Sequence, residues 1–261
     1  MSGLRVALGD LHLEARWVGP PPEAAPTVVF LHEGLGSVSL WRDFPDRLAA
    51  ATGCGALVYS RAGYGASDPA TSAWPVEFMH HEALVTLPRV LEHFAIHDVT
   101  LFGHSDGASI ALIYAGARRG PVRGLILEAP HVFVEPICVT EIRRIASEPL
   151  ASDLRRRLAK HHGPNTETLL RAWTEVWLRE EFLHWRIDEL LPSIECPTLV
   201  IQGRQDAYGT ERQVNAVTSA VAGPVETLFL DACGHAPHAD RAAEVLKAAT
   251  QFIRGKLLRP Q

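Results

Sequence analysis

The stretch LFGHSDGASIALIYAG sets Ser105 between two glycines where an apolar run gives way to an alanine-rich helical pattern. Gly103-His104-Ser105-Asp106-Gly107 has the form Gly-x-Ser-x-Gly, with a strand pattern, VTLFGH, before it and a helix pattern, GASIALIYAG, after it. A sharp strand-to-helix turn strains the backbone of its central residue, and only neighbours without side chains leave room for it. The turn also holds the hydroxyl at a helix N-terminus, where free N–H groups and the helix dipole favour developing negative charge. Nucleophilic attack is the chemistry such a serine could do. A hydroxyl alone is a poor nucleophile, so the reading requires a base and a group that orients the base.

Two later loops supply these partners. TLVIQGRQDAYG carries Asp206 just beyond a strand, and LFLDACGHAPHAD carries His235 just beyond the next one. The chain order Ser105, Asp206, His235 is the one imposed when each residue leaves the carboxyl end of a successive part of one sheet. His235 follows Gly234, where a loop can lean back over the sheet. It is favoured over His238, which precedes a helical pattern and suits a cap or a packing role. Asp206 is favoured over Glu128, which ends GLILEAP and could also reach the histidine, and over Asp231, which lies inside a strand end.

The elements that must position these residues alternate along the chain. Strand patterns RVAL, LHLEARWV, TVVFLH, ALVYSR, VTLFGH, GLILEA, TLVIQG and ETLFLD are separated for the most part by helical ones. That predicts an α/β fold with a mostly parallel eight-stranded sheet and helices on both faces. The first two strands lie too close for a helical crossover and predict an antiparallel hairpin at the sheet edge. Helices are expected over WRDFPDRLAAAT, around Glu77 to Phe94, and over GASIALIYAGARR, TERQVNAVTSAVA and RAAEVLKAATQFIRGKL. Residues 134–194 read as helices only, an insertion after the sixth strand into a core of residues 1–133 and 195–261. Such an insertion would lie over the strand ends where open α/β sheets bind ligands, as a lid. Its aromatic residues, Trp173, Trp177, Phe182 and Trp185, suit the lid's own core, with Trp173 and Trp177 as candidates to line a substrate site.

The chain has 261 residues, 47% of them hydrophobic, and a net charge of −5. This suits one α/β domain with an insertion and gives no electrostatic reason to expect nucleic acid or an anionic membrane as a partner. A small-molecule substrate is the expected partner, and oligomeric state is not legible. Charges at Arg5, Asp10, Glu14 and Arg16 leave neither a signal-peptide core nor a membrane span at the N-terminus, so a cytoplasmic location is expected. The cysteines at 54, 138, 196 and 233 stand far apart, which points to free thiols rather than a zinc site or a disulfide framework. Cys233 is set aside as a nucleophile, because its spacing to His235 does not define a Cys-His pair. No metal and no cofactor is expected.

LHEGLGS, SRAGYGASD, GHSDGA, IQGRQD and CGHAPH together resemble the α/β-hydrolase fold superfamily, in a lid-bearing form, over nearly the full length. The resemblance implies Ser105 as nucleophile, His235 as base and then acid, and Asp206 as its orienting partner. It also implies an oxyanion hole from the N–H of Asp106 and an N–H in the loop after the third strand, at Gly34. That loop has His32-Glu33 where the family usually has His-Gly. Glutamate adopts positive φ less readily than glycine, so Gly34 and Glu33 both stand as the donor. Two carboxylates, Glu33 and Asp106, then flank the serine, and like charges in a poorly solvated cleft raise each other's pKa. One account pairs Glu33 with Arg61 or Arg42 and lets Asp106 cap or solvate the helix start. The other, suggested by valacyclovir-hydrolase-like members that share Ser-Asp-Gly at this turn, has the carboxylates meet a cationic group on the substrate.

The leading expectation is a carboxylesterase-like serine hydrolase acting on an ester, thioester or amide through an acyl-enzyme. A carbon–carbon bond hydrolase of the aromatic-degradation kind would use the same triad, and haloperoxidase-like activity could be a side reaction of it. A ligand receptor that keeps the triad is the alternative of a different class.

Overall fold

The apolar runs assemble into one sheet of eight strands in which burial alternates from face to face. The structure, a computed structural model, describes residues 4–70 and 73–258; residues 1–3 and 259–261 of the expected core lie outside the described residues. The strands are β1 (Leu4–Leu8), β2 (Leu11–Val18), β3 (Thr27–Leu31), β4 (Gly55–Tyr59), β5 (Val99–His104), β6 (Val122–Glu128), β7 (Thr198–Gly203) and β8 (Val225–Leu230). Their spatial order is β1-β2-β4-β3-β5-β6-β7-β8. β1 and β2 form the antiparallel hairpin expected at the edge, turned at Gly9 with φ 70°. β2 meets β4 antiparallel, and the pairs from β4 through β8 are parallel.

The helices are α1 (Phe44–Thr52), α2 (Phe78–His81), α3 (Leu87–His93), α4 (Asp106–Gly116), α5 (Pro136–Ala146), α6 (Asp153–His162), α7 (Thr166–Trp177), α8 (Glu211–Ala220), α9 (Pro237–Asp240) and α10 (Ala242–Phe252). Val28 and Phe30 of β3 pack with α1 and α10, while Val29 and Leu31 pack with α3 and α4, the period-two alternation of a strand covered on both faces. Every residue of α4 is buried. A helix apolar all round belongs inside the molecule, and this one fixes the residue at its N-terminus, Ser105.

Two helix boundaries differ from the sequence reading. The helix expected from Trp41 starts at Phe44, because Trp41 closes a separate 3-10 turn and Arg42, at φ 52°, breaks the run. The helix expected through Arg119 stops at Gly116, packed against Leu190, and the chain turns at Arg118 with φ 52°.

Between β6 and β7 the chain forms α5, α6, α7 and short 3-10 turns, with one bridge pairing Phe133 and Arg186. α7 buries Leu169, Leu170, Trp173, Val176 and Trp177 at helical spacing, and all but Leu169 share a cluster with Ile110 and Leu112 of α4. Phe182 stacks beside Trp185 in this cluster, and full burial of such a ring contributes roughly 1.5–3 kcal/mol. This stretch meets α4 where Leu190 packs against Gly116. Among the described residues, no helix is long and apolar enough to cross a membrane.

Candidate active site

Ser105 joins β5 to α4 with φ 53° and ψ −117°. For a residue with a side chain, that region costs about 1–3 kcal/mol and persists only where the surroundings enforce it. They do so here. Ser105 N donates to Glu128 O at 2.9 Å, and Ser105 O accepts from Ala108 N at 2.9 Å and Ser109 N at 3.0 Å. The flanking glycines are required by contact: a Cβ at Gly103 would strike the backbone of Gly107 and Ala108, and one at Gly107 would strike the Leu31 carbonyl.

His235 bridges the other two residues singled out from the sequence. Its Nε2 lies 2.9 Å from Ser105 Oγ, and its Nδ1 lies 2.9 Å from both oxygens of Asp206. The loop is held from two sides, since Gly234 N donates to Asp240 at 2.8 Å and His104 Nε2 donates to His235 O at 2.6 Å. Asp206 also accepts from Tyr208 N and from Gln202 Nε2, each at 2.7 Å. Burial pushes the Asp206 carboxyl up, but the charge and hydrogen bond of His235 and the Tyr208 N–H outweigh it and hold the pKa at about 2. With Asp206 an anion, a proton on His235 Nδ1 would be held there and Nε2 would be left able to accept one from Ser105.

The two rivals pair with each other. His238 Nδ1 lies 2.6 Å from Glu128 Oε2, both groups are buried, and the imidazole packs 4.4 Å from the Trp41 ring. Asp231 is exposed and faces Arg204. Ring and carboxylate atoms of His104, Glu128 and His238 lie within 4.8 Å of one another, a set whose types could ligate a metal. The 2.6 Å separation is that of a hydrogen bond. Two ligands at right angles on one ion, each ~2.1 Å away, would stand ~3 Å apart, so the His238–Glu128 spacing suits a hydrogen bond better than a shared ion.

Neither arginine pairs with Glu33. Its carboxylate lies 3.3 Å from His104 Nδ1 instead. Burial opposes the charge on both, but their close mutual attraction prevails: His104 rises to about 9 and Glu33 falls well below the usual carboxylate range. Arg61 is turned elsewhere. Its guanidinium donates to the backbone carbonyls of His32 at 2.6 Å and Glu33 at 3.0 Å, and it stands 3.8 Å from Asp106. Nor does Asp106 cap α4, since its side chain makes no hydrogen bond to the helix start. Burial raises its pKa to about 6, with Arg61 partly offsetting the rise. The positive-φ objection to Glu33 also falls away, because neither Glu33 nor Gly34 adopts positive φ. Peptide planes are trans, so carbonyls drawn toward Arg61 turn the N–H groups of Glu33 and Gly34 away from it.

A cavity of about 90 Å³ opens above Ser105, lined by Glu33, Gly34, Asp106 and His235 from the sheet side and by Trp173 and Trp177 from α7. The two tryptophans bury their rings in the core and also line the cavity. Gly34 has to be glycine because the Trp173 indole occupies the space of its Cβ. His131, Cys138 and Tyr208 also line the cavity and were not anticipated. Position offered a signal for two of them: His131 follows the end of β6, and Tyr208 lies two residues beyond Asp206. The four cysteines are free, and burial pushes the Cys233 thiol up to about 11.

Residues 28–248 match a family model described as the alpha/beta hydrolase family. The chain is 26% identical over 218 residues to a mouse (Mus musculus) protein named serine hydrolase BPHL, covering 79% of this chain and 71% of that one. It is 29% identical over 124 residues to a human (Homo sapiens) monoglyceride lipase, 41% of each chain. Among solved structures, a 2-hydroxy-6-oxo-6-phenylhexa-2,4-dienoate hydrolase from Rhodococcus sp. strain RHA1 superposes with a TM-score of 0.79 at 18% identity, covering 97% of this chain and 98% of that one. That last likeness speaks to the fold.

Proposed function

This chain belongs to the alpha/beta hydrolase family, and on that premise we propose that it is a serine hydrolase that cleaves an ester, thioester or amide bond of a small molecule through an acyl-enzyme. The observation that carries the reading is the bridge made by His235, with one nitrogen on Ser105 and the other on Asp206. As Ser105 Oγ attacks the carbonyl carbon, His235 Nε2 takes its proton, and Asp206 stabilises the resulting imidazolium. The carbonyl oxygen becomes an oxyanion, stabilised by the N–H of Asp106 at the start of α4 and that of Gly34, with Glu33 N–H as the other candidate of that loop. Collapse expels the leaving group, which receives the proton from His235. Water, deprotonated by the same nitrogen, then releases the acyl group from Ser105.

The partners of the two carboxylates favour a structural role for them. Glu33 is matched by His104 and Asp106 by Arg61, so each negative charge already faces a positive group. The names of the mouse and human relatives, a serine hydrolase and a lipase, agree with hydrolysis as the reaction class.

The test is a panel of esters, thioesters and amides with varied acyl length, run with Ser105→Ala as control. Steady, Ser105-dependent turnover of at least one class is expected. Single turnover with all of them would place the protein with ligand receptors, and cleavage only of vinylogous diketones would place it with carbon–carbon bond hydrolases.

A further inference from the structure

Among the described residues, three side chains of the cavity at Ser105 carry ring nitrogens without a partner: Trp173, Trp177 and His131. Trp173 and His131 are each more than nine-tenths buried, and among the described residues nothing pairs with Trp173 Nε1 or His131 Nδ1. Leaving a buried polar group unpaired costs about 1–3 kcal/mol, and native structures keep few of them. An indole N–H can only donate, so what Trp173 lacks is an acceptor.

Other indole nitrogens are also unpaired, and their rings pack against aromatic neighbours, for the most part edge-on or tilted. Trp41 packs against Phe30 and Phe102, Trp185 against Phe182, and Trp177 between His131 and Phe182. Trp173 has no aromatic pair among the described residues, and its indole nitrogen lies over Gly34, beside the proposed oxyanion site. His131 is fixed from behind, where its carbonyl accepts from Ser109 Oγ at 2.7 Å, and its ring stands 5.8 Å from that of His235.

We propose that the cavity selects short, uncharged acyl groups that carry a second acceptor oxygen near the scissile carbonyl, read by Trp173 Nε1–H and the His131 ring. The inference rests on the serine-hydrolase reading and adds a substrate class to it. Shortness follows from the small volume, about 90 Å³, of the cavity at Ser105. An uncharged group follows because Glu33 and Asp106 are already matched by His104 and Arg61, which leaves the cavity lining no spare positive group for an anionic acyl chain. Burial and the neighbouring charge of His235 push the His131 pKa down to about 3, so at neutral pH its ring meets an uncharged oxygen as a neutral hydrogen-bonding group. A hydrocarbon chain of the same length would leave the Trp173 donor unpaired, which is how a site built for a hydrogen bond rejects the analogue that lacks it.

The experiment compares p-nitrophenyl methoxyacetate with p-nitrophenyl butyrate, which share a leaving group and differ by one CH2-to-O exchange. Each kcat/KM is divided by the rate constant for hydroxide attack on the same ester, which removes intrinsic reactivity. The wild-type protein should favour methoxyacetate by about tenfold, the worth of one hydrogen bond to a neutral acceptor. Trp173→Phe should bring the ratio to within about twofold of one, and His131→Phe should lower it. The hemisuccinate ester should be poorer than the butyrate. A wild-type ratio near one overturns the proposal without any variant, and a ratio that survives Trp173→Phe overturns the role of the indole. If neither ester is turned over in a Ser105-dependent way, the serine-hydrolase reading itself fails and the preference falls with it.

Discussion

One short stretch of chain carries two histidines, one in a loop and one in α9, each within hydrogen-bond reach of a carboxylate, and only one pair stands where chemistry can happen. His235 meets Asp206 at 2.9 Å and His238 meets Glu128 at 2.6 Å. By pairing distance and by burial of the carboxylate the second is the equal of the first. What separates them is the far side of each ring. His235 turns its free nitrogen to a strained serine and a cavity, while His238 turns its ring to Trp41 and Phe44. A histidine–carboxylate pair thus marks order in a fold. A third partner and access make it a candidate catalyst.

The largest effect that would sharpen this contrast is on turnover. Ser105→Ala should reduce kcat on an activated ester by on the order of 10⁵–10⁶-fold with the fold intact, and His235→Ala should cost nearly as much, because the triad acts as a unit. Retention of most activity in either variant breaks the assignment.

Next comes the direct comparison of the two carboxylates. Asp206→Asn should lower kcat by about 10⁴-fold, because the wrong tautomer of His235 is then favoured. Glu128→Gln should change kcat by less than about tenfold and appear instead as a loss of about 1–3 kcal/mol in a denaturant melt, since it weakens a buried, hydrogen-bonded pair. If Glu128→Gln lost turnover as Asp206→Asn does, the two pairs would not be separable in this way.

A smaller effect concerns the ion pair beneath the loop. His104 is raised from its ordinary value of 6.5 to about 9, so its contribution to stability is full below 6.5 and is lost as pH rises through 9. Glu33 is lowered, so its contribution is present above its ordinary value of 4.5 and is lost as pH falls below it. The stability gap between wild type and Glu33→Gln should therefore be widest between those ordinary values, about 1–3 kcal/mol, and should shrink toward pH 9.5. Melts that show a constant gap from pH 6 to 9.5 would remove His104 as the partner. The smallest effect is expected from Asp106→Ala, which should weaken cationic and neutral esters alike, by a few-fold, if Arg61 already offsets the carboxylate. A loss confined to cationic esters would restore the substrate-binding account.

Much of this was legible in the sequence, and the parts that were not share a physical cause. Strand periodicity and the glycines around Ser105 act locally, so the sheet and the turn could be read from spacing. Asp206 and His235 could be placed because loops after successive parallel strands converge at one end of the sheet. The partner of Glu33 could not. His104 sits in the middle of the serine motif and looks like a spacer, and only the register of β3 beside β5 brings it to the loop after β3. Cys138 likewise reaches the cavity by the packing of the helical insertion, which no local pattern encodes. The pairing of His238 with Glu128 joins residues 110 positions apart, and it turned two candidates for the site into one structural contact.

The most direct test of the account is covalent. A fluorophosphonate probe reacts with a serine only when that serine is activated, and peptide mass mapping locates the adduct. One equivalent on Ser105, lost in His235→Ala and kept in Glu128→Gln, is the predicted result. An adduct on another residue, or labelling of Ser105 undiminished in His235→Ala, would contradict the claim that His235, held by Asp206, activates this serine.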